Sequence, residues 1–418
     1  MRIKVNENGN WRSFRHRNFR ILFPANALSN IGTWAQRVAQ DWLVLELTDN
    51  NGFYLGLVTA IQFAPVLLFS LQGGAMADRV DKRKLLIWTN IVAALACYAL
   101  GILVVAEVIQ LWHVFACAAI LGISSALDAP IRQSFTSEIV GHSDVANAVS
   151  LNSANFNAGR LVGPALSGFL IARFSTGPSF LINATTYLFV ILSLLFMRSS
   201  DFFIQKKEET LGTIREGLRY AKARPDLYVV MALVFFAATF GLNFQIFNAL
   251  MASKEFGKGP AEFGLLGTYI AVGSLSGALL SARLERFRNA KLVIKLGVWF
   301  SIVVIVLSVM PTYTWYSLWL PICGISALTM LISANSYVQV NSDPAVRGRV
   351  MGIYLLVFMG GTPLGSMLIG YLTEALGTRE TIAMCGGFSL LMCALIWFFF
   401  NDKVERPDDL RVSSVLRQ

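Results

Sequence analysis

Uncharged apolar runs of about 20 residues recur along this chain between short charged turns, and a run of that length is enough to cross a bilayer. The pattern is sharpest around Gly73 to Lys84, which reads GGAMADRVDKRK. Apolar sequence extends from Phe53 to Ala77 on one side of it and from Leu85 to Ala106 on the other. The charged dozen is therefore expected to form a tight hairpin between two membrane helices. The same reading along the chain predicts twelve spans, within 19–47, 53–77, 85–106, 111–133, 145–172, 178–197, 226–251, 262–282, 291–310, 314–338, 350–373 and 380–400. The expected fold is an all-α integral membrane protein with twelve transmembrane helices in two six-helix halves, 1–197 and 226–418, joined by a cytoplasmic linker at 198–225. Composition agrees: 14% of residues are charged, against about a quarter in soluble domains.

The net charge of +10 raises the question of a nucleic-acid partner, and its distribution answers it. Lys and Arg crowd the N-terminal lead-in, the 2–3 hairpin, the central linker, the 8–9 loop and the tail. Arg173, Lys254, Lys258 and Arg379 stand on the opposite side. By the positive-inside rule both termini are expected in the cytoplasm, and the basic excess belongs to topology and anionic lipid. Trp11, Phe14 and Phe19 within the lead-in are expected to anchor it at the inner interface. Cys97, Cys117, Cys323, Cys385 and Cys393 all fall within apolar spans without CxxC spacing, so neither a disulfide framework nor a metal site is expected. No GxxxxGK[ST] stretch is present, so ATP is not the expected energy source.

Polar residues inside spans mark candidate functional positions. Span 1 carries Asn26, Asn30, Gln36, Arg37, Gln40 and Asp41, too much polarity for a lipid-facing helix. Span 4 ends with Asp128 one turn before Arg132, followed by Gln133; the two charges share a helix face and either line a cavity or neutralise each other at its mouth. Span 5 carries Asn155, then Gly159, Arg160, Gly163 and Pro164. Glycines four apart permit close approach of a neighbouring helix, and Pro164 permits a bend; a plain packing seam would look the same. Arg160 falls near mid-membrane, where a cation costs about 2.5 kcal/mol or more unless paired or wet. Asp41 and Asp128 are its two candidate partners. Span 7 interleaves Phe236, Phe240 and Phe244 with Asn243 and Gln245, a pattern that fits either a cavity wall or packing, and Asn335 in span 10 is a further cavity candidate. In the linker, Leu211, Ile214, Leu218 and Ala221 lie opposite Arg215, Arg219 and Lys222, which predicts an amphipathic helix ending before Arg224-Pro225. Gly277 to Arg283 weakly repeats Gly74 to Arg79 with Ser281 in place of an acid, and such six-span repeats place a substrate site between halves.

The order Gly74, Asp78-Arg79, Lys82-Arg83-Lys84 resembles the loop motif of the major facilitator superfamily between helices 2 and 3, with Asp81 where a second glycine usually stands. Gly159 to Gly168 resembles the fifth-helix motif of antiporters in that superfamily, with Ser167-Gly168 for the terminal glycine pair. Together with Gly32 to Leu45 and Asp128 to Gln133, the chain is similar over nearly its full length to the branch holding enterobactin exporters and drug:proton antiporters. The resemblance implies a non-enzymatic secondary exporter without cofactor, a monomer whose partners are a small-molecule substrate, protons and membrane lipids, in a bacterial inner membrane. It implies coupling or gating roles for Arg37, Asp41, Asp78, Arg79, Arg83, Asp128, Arg132, Gly159, Arg160, Gly163 and Pro164. Asp78 would act by approaching a helix that starts near Asp343-Pro344. Asn30, Gln36, Gln40, Gln133, Asn155, Phe240, Asn243, Phe244 and Asn335 would line the substrate cavity. A lipid translocator or scramblase, and a membrane sensor that binds without transporting, are the alternative functions.

Overall fold

The computed structural model describes residues 9–203, 214–284, 289–344 and 346–404, with side chains described outside 70–79, 214–215 and 401–404. Within these residues there is no strand. The first six helices are α1 (Arg17–Leu47), α2 (Gly52–Arg79), α3 (Lys82–Val105), α4 (Leu111–Val140), α5 (Val145–Arg173) and α6 (Gly177–Leu195). The short α7 (Ile214–Ala223) precedes α8 (Pro225–Phe236), α9 (Phe244–Leu250), α10 (Pro260–Arg283), α11 (Ala290–Ser308) and α12 (Tyr313–Asn341). The last three are α13 (Arg347–Gly360), α14 (Thr362–Ala375) and α15 (Thr378–Val404).

Local chemistry explains where helices start and stop. Asp81 caps α3 by accepting from the Lys84 amide at 3.2 Å, so the acid that stands where the superfamily motif has glycine satisfies an orphan donor of the first turn. Asn289 and Thr312 cap α11 and α12 in the same way. Gly141, with φ of +70°, ends α4 in a conformation other residues adopt only with strain. Pro225 opens α8, where its missing N–H removes no bond.

Ten spans among the described residues are long and apolar enough to cross a membrane: Gly52–Phe69 of α2, α3, α4, α6, Pro225–Glu255, α10, α11, α12, Arg347–Ala375 and Thr378–Phe400 of α15. This corrects the expected count of twelve in two six-helix halves. The helices that do not qualify are α1 and α5, of 31 and 29 residues; both have the length, and both lose the apolar character to the amides and charges that made them conspicuous in sequence. The all-α, multi-pass class stands.

The chain forms two compact units. The first comprises Met1–Asn50, Ile61–Glu208 and Lys258–Thr268, the second Asn51–Ala60, Glu209–Gly257 and Tyr269–Gln418, so α2 and α10 each contribute to both. In the first unit α1 packs along α5 and α6, and α3 packs along α6 and α4. One apolar core there gathers Phe19, Leu86, Ile131, Phe135, Ala148 and Leu194 from α1, α3, α4, α5 and α6. In the second unit α11 packs along α15 and α12, while α7 lies on α13.

Two surface segments differ from expectation. The basic lead-in is docked on protein: Ser13 is fully buried and its hydroxyl donates to Asn147 Oδ1 at 2.7 Å, and Arg15 and His16 reach Asp144 at 2.8 and 2.6 Å. Phe19 is in the core, and Trp11 alone of the three expected anchors is exposed. In α7 the buried face is Gly217, Tyr220 and Ala221, with Leu218 exposed, because Gly217 lets the helix approach Arg349 and Ile353 of α13. Leu211 lies outside the described residues.

Candidate functional site

Asp128 and Arg132, one turn apart on α4, form a two-pronged ion pair, with Arg132 Nε and Nη2 at 2.7 and 2.9 Å from the carboxylate oxygens. Their surroundings come from three helices. From α3, Thr89 Oγ1 and Asn90 Nδ2 donate to Asp128 Oδ1 at 3.1 and 3.0 Å. From α1, Asn26 Oδ1 accepts from Arg132 Nη1 at 2.5 Å. The next turn of α4 places Thr136 to accept from Asn152 of α5 at 3.4 Å, and Asn155 donates to the Phe23 carbonyl of α1. A fork of this kind is stronger and geometrically more selective than a single neutral hydrogen bond. The pair is only partly shielded, because both side chains also face a cavity of about 510 Å³.

The cavity lies wholly within the first unit. Of the expected residues it brings together Asn26, Asn30, Arg37, Asp128, Arg132, Gln133 and Asn155, and it adds Thr33, Thr89, Asn90, Phe156, Asn157 and Tyr187. Gln36 and Gln40 are buried behind it in a relay, Gln36 donating to Gln40 at 3.1 Å and Gln40 to Gln62 at 3.2 Å. Asp41 is buried one turn beyond Arg37 on α1.

Gly159 and Gly163 set the distance between α5 and α1. A Cβ at Gly159 would stand 2.8 Å from the Asn30 backbone, and one at Gly163 2.6 Å from Trp34 Cβ. Pro164 sits where α5 meets the start of α10, against Gly264 and Gly267. Arg160, one turn after Phe156 and Asn157, lies over the Trp34 indole with Cζ 5.7 Å from the ring centroid. Arg37 lies over the same ring at 5.0 Å and over Phe63 at 5.5 Å. Asp128, one of the two acids considered for Arg160, is committed to Arg132.

Other expected residues are placed elsewhere. Arg83 donates to the Leu194 and Leu195 carbonyls at 2.7 and 2.9 Å and so caps the end of α6. The side chains of Asp78 and Arg79 lie outside the described residues. Phe240, Asn243, Phe244 and Asn335 belong to the second unit. There Phe240 falls in a π-helical interruption, Ala237–Gly241, and Asn243, just before α9, donates to the Thr239 carbonyl within it at 2.8 Å. Gly361 and Gly365 allow the close approach of Thr239. Phe244 packs against Phe247 and Phe300.

Sequence reasoning missed Thr89, Asn90 and Tyr187. Asn90 left a signal, an amide in the middle of an otherwise apolar span, and intramembrane polar groups are functional candidates by default. Thr89 left none, since a hydroxyl in such a span commonly bonds its own helix, and Tyr187 left none, since an aromatic ring in an apolar span reads as packing.

A bundle of membrane-length helices with a cavity lined by amides and an ion pair fits a membrane transport protein, and the family match agrees. The chain belongs to the transmembrane secretion effector family of the major facilitator superfamily, which it matches over residues 8–416. It is 23% identical over 387 residues to the staphyloferrin A transporter of Staphylococcus aureus, covering 92% of this chain and 97% of that protein. The multidrug efflux pump Tap of Mycolicibacterium fortuitum is 26% identical over 378 residues, with 86% and 90% covered. The enterobactin exporter EntS of Shigella boydii is 24% identical over 391 residues, with 91% of each covered. Among solved structures, a bacterial homologue of the lysosomal transporter Spinster superposes with a TM-score of 0.75 at 15% identity over 94% of this chain and 98% of that one. A POT family transporter superposes with a TM-score of 0.74 at 13% identity, over 95% and 100%. Identities this low show the shared fold alone.

Proposed function

We propose that the protein is a secondary exporter that moves amphipathic organic molecules, siderophores or drugs among them, outward in exchange for protons by alternating access. It acts as a monomer in the bacterial inner membrane with both termini in the cytoplasm. The observation that carries this reading is the Asp128–Arg132 pair on the cavity wall, a carboxylate that accepts from three side chains on two helices. Protonation of Asp128 would remove the charge that holds Arg132 and convert an acceptor into a donor. The contacts joining α3, α4 and, through Asn26, α1 would then loosen together, which links proton occupancy to helix arrangement. Arg37, Asp41, Arg79, Arg160 and Asp78 complete the coupling set, Gly159, Gly163 and Pro164 supply the helix approach it needs, and Arg83 fixes the end of α6. Phe240, Asn243, Phe244 and Asn335 offer the aromatic and amide surface of the second unit to the substrate. The names of the three relatives, two of them exporters or efflux pumps, support the substrate class.

Reconstitution into proteoliposomes with an imposed pH gradient tests the reading. Accumulation of a fluorescent amphiphile should require the gradient and be abolished in Asp128→Asn. Gradient-independent exchange of labelled lipid would overturn it in favour of a translocator, and saturable binding without flux in favour of a sensor.

A further inference from the structure

Arg37 and Arg160 are the charges that the Asp128–Arg132 pair leaves unexplained. They approach one indole from two helices, Arg37 from α1 at 5.0 Å and Arg160 from α5 at 5.7 Å from the Trp34 centroid. The enclosed Nε of Arg37 has no hydrogen-bond partner among the described residues. Asp41 attracts Arg37 from one turn away, which offsets one of the two positive charges and leaves the other. Arg37, Thr33, Asn30 and Phe156 line the cavity, and Phe156 meets Trp34 edge to face at 5.7 Å.

We propose that Arg37 and Arg160, gathered on Trp34, form the anion-binding end of the cavity, and that the transported amphiphile carries a carboxylate on a flat aromatic body. This rests on the exporter reading of the same cavity. A guanidinium lying over a ring keeps the edge of its planar fork available, and that fork matches a carboxylate. Arg37 presents such an edge on the cavity wall, Arg160 adds its charge from across Trp34, and Asn30 and Asn157 of the wall supply neutral donors. Phe156, on the cavity wall, offers a ring to the apolar part of the ligand. With Asp41 as the local acid, one ligand carboxylate brings this end of the cavity to neutrality, whereas an ammonium ligand would add a third cation.

The test uses the full chain in lipid nanodiscs and three probes that share one body: naphthoate, naphthylmethanol and naphthylmethylammonium. Isothermal titration at neutral pH should show naphthoate binding about tenfold or more tighter than the alcohol, as charge-assisted hydrogen bonds allow, with the ammonium weakest. Arg37→Gln and Arg160→Gln should each reduce the acid-to-alcohol ratio, and the double variant should bring it to about one. Arg37→Lys with Arg160→Lys keeps the charge and should keep a preference for the acid, which separates loss of charge from loss of fold. The inference is overturned if the unmodified protein binds alcohol or ammonium as tightly as acid, or if the double Gln variant retains the acid preference. Gradient-driven flux of the alcohol or ammonium without acid preference would sink this inference and leave the exporter standing. Acid-selective binding with no gradient-driven flux of any probe would do the reverse.

Discussion

Asp128 accepts from Arg132, Thr89 and Asn90, so Asp128→Asn places an amide N–H among donors and leaves Arg132 without its counter-charge. Loss of about 1.5–3 kcal/mol is expected, the range for a hydrogen bond to a charged group. Denaturant unfolding of the purified protein should show Asp128→Asn less stable than the double variant Asp128→Asn with Arg132→Gln, because the second change removes the stranded cation. Equal stabilities would deny the pair its role. Asp144 makes the opposite kind of test, outside the membrane. Burial pushes its carboxyl up, but the His16 hydrogen bond and the Arg15 guanidinium outweigh that and hold it below the ordinary carboxylate value. A carboxyl depressed in the folded state stabilises it at pH values above the unfolded pKa and loses that contribution as pH falls through the folded pKa. Asp144→Asn should therefore be less stable than the unmodified protein at neutral pH, and the difference should close below about pH 4. A gap that persists in acid would mean that packing, not charge, holds the lead-in.

At the scale of helices, close approach is bought by glycine at particular positions. Gly163→Ala must displace α1 or α5, since its Cβ would stand 2.6 Å from Trp34 Cβ and 2.8 Å from the Ile31 carbonyl. Overpacking of this kind costs about 1–3 kcal/mol. Gly387→Ala, with nothing within 4 Å of the new methyl, should be neutral or slightly stabilising through its helix propensity. Thermal unfolding of the two variants compares them directly, and similar midpoints would show that α1 and α5 have slack at this crossing. The polarity of α1 and α5 belongs to this scale as well. Much of their polarity lines the cavity or is buried between helices, so their sequences read poorly as lipid-facing spans while the helices themselves run 31 and 29 residues.

For the whole molecule, the distribution of Lys and Arg predicts sidedness. With both termini in the cytoplasm, single cysteines at Lys258 or Arg379 should react with an impermeant thiol reagent in intact cells, and cysteines at Lys206 or Arg286 should react only after the membrane is opened. The five native cysteines are buried, which keeps the background low. Labelling at position 286 from outside would reverse the orientation.

The sequence by itself determined the membrane class and the helical content. Asp128 and Arg132 were recognisable from their one-turn spacing, and Gly159 and Gly163 from theirs, because helical periodicity is a local property. The number of qualifying spans was not legible. Hydropathy counts a buried amide and a lipid-facing amide alike, so α1 and α5 were assigned to the bilayer on length and failed on polarity. The partners of Asp128 were not legible either. Thr89 and Asn90 come from a different helix, and only packing of α3 against α4 brings their donors to one carboxylate oxygen. Arg83 was expected in the coupling set from the loop motif, and its capping of α6 appears only once the end of that helix is found beside it, with carbonyls in need of a donor. Arg160 shows the same limit in reverse: depth along the chain called for an acid, and the tertiary structure gave it an indole and a second arginine, an arrangement fixed by how α1 and α5 cross.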